Sequence, residues 1–277
     1  MKTIHSDNSL SPTAISNSLA KDFSVKILSE TDSTNKQLKL LAEQGAPEWS
    51  VLLAEYQTAG KGRLDRSFLS PRGSGIYMSF LLRPAISAPS LPVTESVLLT
   101  VCAASAVYEA IRSVTGKETA VKWVNDLYYK NKKVCGILTE GALTTDGSSL
   151  EYAIVGIGLN VIDPNFDGEL GNIATGLYEK DDNIQTDHIR ERIISEILNS
   201  FRYYYENQLA VFGAKRSFID IYREKMFLYG KTVNVFAGDT PKEATVLSLN
   251  SDCSLNIRYS DGKEQALSYG EVQIKLI

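Results

Sequence analysis

Apolar positions change their period several times along this chain, and each change predicts an element. Phe23-Ser-Val-Lys-Ile-Leu alternates well enough for a strand. Asp32-Ser33-Thr34-Asn35 then supplies hydroxyl or Asx caps for an amphipathic helix through Leu38, Leu41 and Ala42, which Gly45 closes. Val51-Leu52-Leu53-Ala54 reads as a buried strand, and Ile76 to Leu82 as the next, ended by Arg83-Pro84. Val97, Val101, Ala104, Tyr108 and Ile111 fall at helical spacing. Strands follow at Ala120 to Val124, at Leu127 to Leu138 as a pair turned at Asn131-Lys132, and at Tyr152 to Val161. Residues 163–185 read as loop. Ile189, Ile193, Ile197 and Phe201 mark a long helix, with a second around Phe218–Met226.

After Gly230 the period becomes two. Strands are expected from Thr232, Glu243, Leu255 and Val272, separated by turns at Gly238-Asp239, Asn250-Ser251-Asp252 and Asp261-Gly262. Residues 1–22 contain five serines and little periodicity, so they read as a loose extension with order beginning near Phe23. The chain therefore divides into 1–22, 23–228 and 229–277. There is no internal repeat and no apolar run of membrane-spanning length.

Composition narrows the chemistry. Lys plus Arg number 29 against 33 Asp plus Glu, a net charge of −4 over 277 residues, which disfavours a generally basic nucleic-acid binder. The two histidines, His5 and His188, exclude a histidine-built zinc site and disfavour Ser-His-Asp catalysis. Cys102, Cys135 and Cys253 are odd in number and far apart, as expected of a reduced, cytoplasmic protein. Neither Cys135 nor the Tyr203-Tyr204-Tyr205 run is expected to act chemically.

Four segments carry candidate chemistry. Gly60-Lys61-Gly62-Arg63 opens a basic, glycine-rich loop over 58–75, suited to an anion but lacking the Walker pattern; a solvated loop is the alternative. Lys122 sits in Val121-Lys-Trp-Val-Asn-Asp-Leu, where a buried ammonium needs an anionic partner or an edge strand that lets it reach water. Gly156-Ile-Gly158-Leu-Asn160 lacks the third glycine of a dinucleotide fingerprint, and close packing of two backbones explains it as well. Asp32 to Asn35 is a helix cap that also offers small polar groups to a ligand.

In order, D-S-T-N, A-E-Y-Q-T-A-G-K-G-R, V-K-W-V-N-D-L-Y, K-V-C-G-I-L-T-E and G-I-G-L-N-V closely resemble the biotin–protein ligases, from about Lys26 to Val161. The resemblance implies an α+β fold: a catalytic domain like that of class II aminoacyl-tRNA synthetases, with a mixed sheet and helices, and a small SH3-like C-terminal β-barrel. It implies ATP, Mg²⁺ and biotin as ligands, biotinyl-AMP as intermediate, and the biotin carboxyl carrier domain of acetyl-CoA carboxylase or a related enzyme as partner. It implies biotin contacts from Ser33, Thr34, Asn35, Gln57, Lys61, Gly62, Arg63, Lys122, Gly136 and Ile137, with Lys122 and Arg63 catalytic. Gly60, Arg66, Asn125, Asp126 and Asn160 are implied near the nucleotide, with Mg²⁺ held mainly by its phosphates. Neither nucleic acid nor membrane is implied as a partner, and the state is monomer or homodimer.

Four positions depart from the family pattern. Lys61 replaces an arginine, Asp65 a glycine, Phe68 a tryptophan and Val124 a proline. A lipoate–protein ligase is the nearest competitor, but its R-R-x-S-G-G-G-x-V element is missing. A biotin-sensing repressor would need a winged-helix head of about 60 residues, and some 22 poorly patterned residues precede Phe23.

Overall fold

The computed structural model describes residues 9–64, 66–88, 91–179, 188–236 and 240–268, and the backbone of 273–276. His5, Asp65, the Gly238-Asp239 turn and Val272 lie outside the described residues.

Seven strands form one mixed sheet in the order β1-β2-β3-β7-β6-β5-β4. They are β1 (Ser24–Leu28), β2 (Ser50–Ala54), β3 (Gly75–Leu82), β4 (Ala120–Lys122), β5 (Asp126–Tyr129), β6 (Lys132–Leu143) and β7 (Leu150–Asn160). Only β1 and β2 run parallel; every other neighbour is antiparallel. Helix α2 (Thr34–Glu43) covers one face, seating Leu38 and Ala42 on Leu52, Leu81 and Ile154. The other face carries the larger core, built with α4 (Val97–Thr115), α6 (Ile189–Tyr204) and α7 (Ser217–Lys225). Both faces of β2 and β3 are thus covered, which is why their sequences are apolar throughout instead of alternating. A short helix α3 (Pro84–Ser87) follows β3.

Three expectations are corrected. Residues 12–18 are not loose: they form helix α1 (Pro12–Ser18), started by Pro12 and capped by the Ser11 hydroxyl, which accepts the Ala14 N–H. Its single buried residue, Ile15, packs into the main core, and the Ser195 hydroxyl donates to the Ile15 carbonyl at 3.2 Å. The 163–185 loop contains helix α5 (Gly168–Ile173). The stretch Val93–Thr115, which contains α4, is long and apolar enough to cross a membrane by length and composition, unlike the expectation. It is instead a core helix, mostly buried.

A second, wholly antiparallel sheet has the order β11-β10-β9-β8-β12. Its strands are β8 (Thr232–Phe236), β9 (Lys242–Leu249), β10 (Leu255–Tyr259), β11 (Glu264–Leu267) and β12 (Gln273–Leu276). The sequence pattern missed β11, whose first three residues are exposed and leave no alternation to read. The two units touch just after β4 and on α7. The Trp123 indole donates to the Cys253 carbonyl at 2.9 Å, and the Arg223 guanidinium to the Asn250 carbonyl at 3.0 Å.

Candidate active site

The site begins where α2 begins. On the α2 side of the sheet, β7 presents Ile154, Gly156, Gly158 and Asn160 in turn. Across the ladders these meet Leu81, Ser79 and Tyr77 of β3, and Glu140, Leu138 and Gly136 of β6. The helix covers the Leu81–Ile154 end and stops at Thr34. Beyond it β7 and β6 carry Gly156, Gly158 and Gly136, which raise no side chain of their own. A cavity of about 740 Å³ occupies that bare floor.

The glycines make room for side chains, which corrects the expectation that two backbones pack closely there. A Cβ on Gly156 would stand 2.0 Å from Asn35 Oδ1. A Cβ on Gly158 would stand 2.6 Å from the Phe68 ring, and one on Gly136 3.5 Å from it. Phe68 descends from the glycine-rich loop, which is folded back on itself. Phe68 N–H donates to the Gly60 carbonyl at 2.8 Å and Gly62 N–H to the Arg66 carbonyl at 2.6 Å. Gly60 does not line the cavity. It is packed inside the turn, where a Cβ would stand 2.4 Å from the Phe68 carbonyl oxygen. The other residues that the resemblance implies all line the cavity; Lys61 and Arg66 are on its exposed rim.

One end of the cavity is neutral and polar. Ser33 caps α2 by accepting the Lys36 N–H. The Gln57 amide oxygen accepts the Thr34 N–H at 2.8 Å, and its NH₂ donates to the Ser70 hydroxyl at 2.8 Å. Behind them, the buried Ser79 hydroxyl lies 2.7 Å from Thr34 Oγ1 and 2.6 Å from Asn35 Oδ1. Asn35 Nδ2 donates to Glu140 at 2.8 Å and to the Leu138 carbonyl at 3.3 Å.

The middle is cationic. Arg63 reaches from the loop to Asn125 Oδ1 at 3.1 Å, and Asn125 Nδ2 holds the Ile137 carbonyl at 3.0 Å. Burial draws the Arg63 guanidinium below its ordinary value while the Asp126 carboxylate opposes this, and it stays charged. Lys122 Nζ lies 5.7 Å above the Tyr128 ring, whose hydroxyl is pushed up to about 12 chiefly by burial. Lys133 pairs with Asp126 at 2.6 Å. Sequence reasoning missed Lys133. Its signal was the β5–β6 hairpin, which brings the residues flanking the Lys130-Asn131 turn back onto Asp126. The third wall is apolar, with Phe166, Leu170 and Ile173 on and before α5. The Lys132 ammonium donates to the Gly171 carbonyl at 2.6 Å and ties this wall to β6.

For a magnesium ion the described residues offer no cluster of three acidic or imidazole ligands. The Asp126 carboxylate and the Asn160 amide supply one or two oxygens, which suits an ion carried mostly by phosphates.

A mixed sheet with a glycine floor, a neutral polar end, a cationic middle and an apolar wall makes a site suited in chemistry to a small acid beside a larger, partly apolar group. Residues 28–160 match the model of the biotin/lipoate A/B protein ligase family. The chain is 40% identical over 149 residues to the bifunctional ligase/repressor BirA of Bacillus spizizenii, covering 53% of this chain and 44% of that protein. It is 33% identical over 139 residues to the biotin–[acetyl-CoA-carboxylase] ligase of Mycobacterium tuberculosis, covering 49% and 48%. The chain thus spans a little under half the length of these relatives. Its fold is similar to the biotin protein ligase of Aquifex aeolicus in complex with biotin and ATP. The TM-score there is 0.71 at 27% identity, over 91% of this chain and 99% of that one.

Proposed function

We propose that the chain activates biotin with ATP and transfers the biotinyl group to a lysine of a biotin carboxyl carrier domain, that of acetyl-CoA carboxylase or a related enzyme. The observation that carries this reading is the single cavity whose neutral polar end and cationic middle are joined by a glycine floor. The bicyclic urea of biotin belongs at Ser33, Thr34 and Gln57. Its carboxylate then falls among Arg63, Lys122 and Lys133, where an α-phosphate can meet it. The apolar wall of α5 suits a purine.

In the first step a carboxylate oxygen attacks the α-phosphorus and pyrophosphate leaves. In the second, the lysine amine attacks the carbonyl carbon of biotinyl-AMP, loses a proton and expels AMP. Two anions must meet, so the domain's task is to position them and offset charge. Arg63, Lys122 and Lys133 do this, and Asp126 keeps Lys133 aimed. Mg²⁺, when bound, would offset phosphate charge, held by Asp126 and Asn160. The loop from Gly60 to Ser70 roofs the intermediate and excludes water. We read residues 23–228 as the catalytic, synthetase-like domain and 229–277 as an SH3-like barrel. The three free, buried thiols fit a reducing compartment such as the cytoplasm.

The test is ATP-dependent transfer of biotin to a carrier domain, with lipoate as control. Pyrophosphate exchange driven by biotin and not by lipoate is the expected result. Exchange with lipoate alone, or none with either acid, overturns the reading.

A further inference from the structure

The three cations in the middle of the cavity are held in three different ways. Arg63 is held by the Asn125 amide oxygen at 3.1 Å, and Lys133 by the Asp126 carboxylate at 2.6 Å. Lys122 has its Nζ 5.7 Å from the centre of the Tyr128 ring, within reach of a cation–ring attraction. Tyr128 lines the same cavity, and the family resemblance implies no role for it. The ladder explains how ring and ammonium meet. Across β4 and β5, Lys122 stands opposite Asp126 and Ala120 opposite Tyr128, so Lys122 and Tyr128 are diagonal neighbours. Both side chains line the cavity and therefore share one face of the sheet. Tyr128 is half-buried, and its ring also meets that of Phe227, just past α7, at 5.4 Å between centroids. Phe227 in turn packs against the main core. The ring is thus a fixed surface beside a flexible lysine.

A ring and a carboxylate do different things to a lysine. A carboxylate fixes an ammonium by offsetting its charge. An aromatic face fixes it through the ring quadrupole and carries no net charge of its own. Burial pushes the Tyr128 hydroxyl up to about 12, so the ring stays neutral at any ordinary working pH. We propose that Tyr128 is a positioning residue for Lys122: its ring holds the ammonium where carboxylate and α-phosphate meet, and leaves its charge for those anions. This inference rests on the biotin reading, in which Lys122 offsets the charge of the two reacting groups.

The experiment measures biotin-driven pyrophosphate exchange on the full chain at saturating biotin and ATP. Tyr128→Phe keeps the ring and loses the hydroxyl, and should stay within about 2-fold of the parent. Tyr128→Leu keeps apolar bulk and loses the quadrupole, and should slow exchange by about 5- to 30-fold, the worth of a cation–ring contact shielded from water. Tyr128→Met is a second non-aromatic replacement with the same expectation. In a Lys122→Ala background the Leu or Met replacement should change the rate by less than about 2-fold, because the ring then has no ammonium to hold. A ring that served packing alone would slow both backgrounds alike. No biotin-driven exchange by the parent overturns the biotin reading and this inference together. Three results obtained with an active parent overturn the role of Tyr128 alone. They are parent rates in both non-aromatic variants, a Tyr128→Phe as slow as those variants, and equal losses with and without Lys122.

Discussion

Adding one methyl group at Gly158 separates the floor of the cavity from its roof. The new carbon would stand 2.6, 2.7 and 3.0 Å from Cε1, Cζ and Cδ1 of Phe68. Carbon atoms settle at about 3.5–4.0 Å, so one partner must retreat by about 1 Å. The sheet cannot: β7 is paired along this stretch by β3 on one side and β6 on the other. Phe68 can, because it is half-buried on a hairpin tied back near Gln57 and Ser70. Overpacking of this size costs about 1–3 kcal/mol, charged here to loop closure and not to the core. Gly158→Ala should therefore weaken biotin binding by about 5- to 150-fold while moving the thermal midpoint by no more than about 3 °C. Calorimetric titration with biotin and a scanning melt measure both. Gly156→Ala, on the same strand face, is the contrast. Its methyl meets the buried Asn35 amide at 2.0 Å, so binding and melting temperature should fall together. Parent-like affinity in Gly158→Ala alongside a large drop in melting temperature would refute the assignment of Phe68 as a seated roof.

Four further outcomes are expected. Lys133→Met and Lys122→Ala should each slow biotinyl-AMP formation by roughly 10²–10³-fold, read by pyrophosphate exchange; parent rates would remove that cation from the reaction. Arg63→Ala gives up the bond to Asn125 and should let the intermediate escape, seen as biotin on bystander proteins, whereas an intermediate retained as in the parent counts against the loop as a lid. Trp123→Phe removes the donor to the Cys253 carbonyl and should lower the melting temperature by about 2–4 °C, for a bond worth about 1 kcal/mol; no change would uncouple the C-terminal unit from β4. The Lys36 ammonium, then the Gln37 amide and Ser33 N–H, hold the Asp32 carboxyl well below the usual carboxylate range. A depressed acid contributes stability above its unfolded value, near ~4, that is lost as pH falls through the folded value. The parent's melting temperature should drop more steeply than that of Asp32→Asn below about pH 4; parallel curves would dismiss the contribution.

What could be read from the sequence tracks how many neighbours an element needs. Helix α2 was legible down to its cap because Ser33, Leu38 and Gly45 carry local signals. Gly45 does adopt a left-handed conformation, with φ 86°. Helix α1 was not, because it is held by Ile15 and by side chains of α6 that lie 180 and 181 positions away. Almost every residue that the order of the motifs assigned to the site does line the cavity. That order misplaced Gly60, whose Cβ-free space faces the loop's own backbone. It also passed over Lys133 and Ser79. Their importance lies in register: Ser79 opposite Gly156, and Lys133 two residues past the hairpin turn. No property of a serine in an apolar run announces that the opposite strand carries glycine.

The C-terminal unit follows from the same reasoning about neighbours. Strand β4 is three residues long, lies at the sheet edge and pairs with β5 alone. So short an edge strand has little hold of its own. Yet it carries Lys122 and leads directly to Asn125 and Asp126, half of the cationic middle. The missing hold comes from outside the sheet. Val121 bridges Met226 in parallel fashion, and the Phe227 N–H donates to the Val121 carbonyl at 3.2 Å. The buried Tyr222 hydroxyl donates to the Val124 carbonyl at 3.0 Å, and the turn at Asn250 to Cys253 receives the Trp123 indole. Residues on both sides of Lys122 are therefore gripped by α7, its exit and the second sheet. A chain with net charge −4 brings Arg63 from one loop, Lys122 from one short edge strand and Lys133 from β6 to one cavity, and the second sheet holds that edge in place.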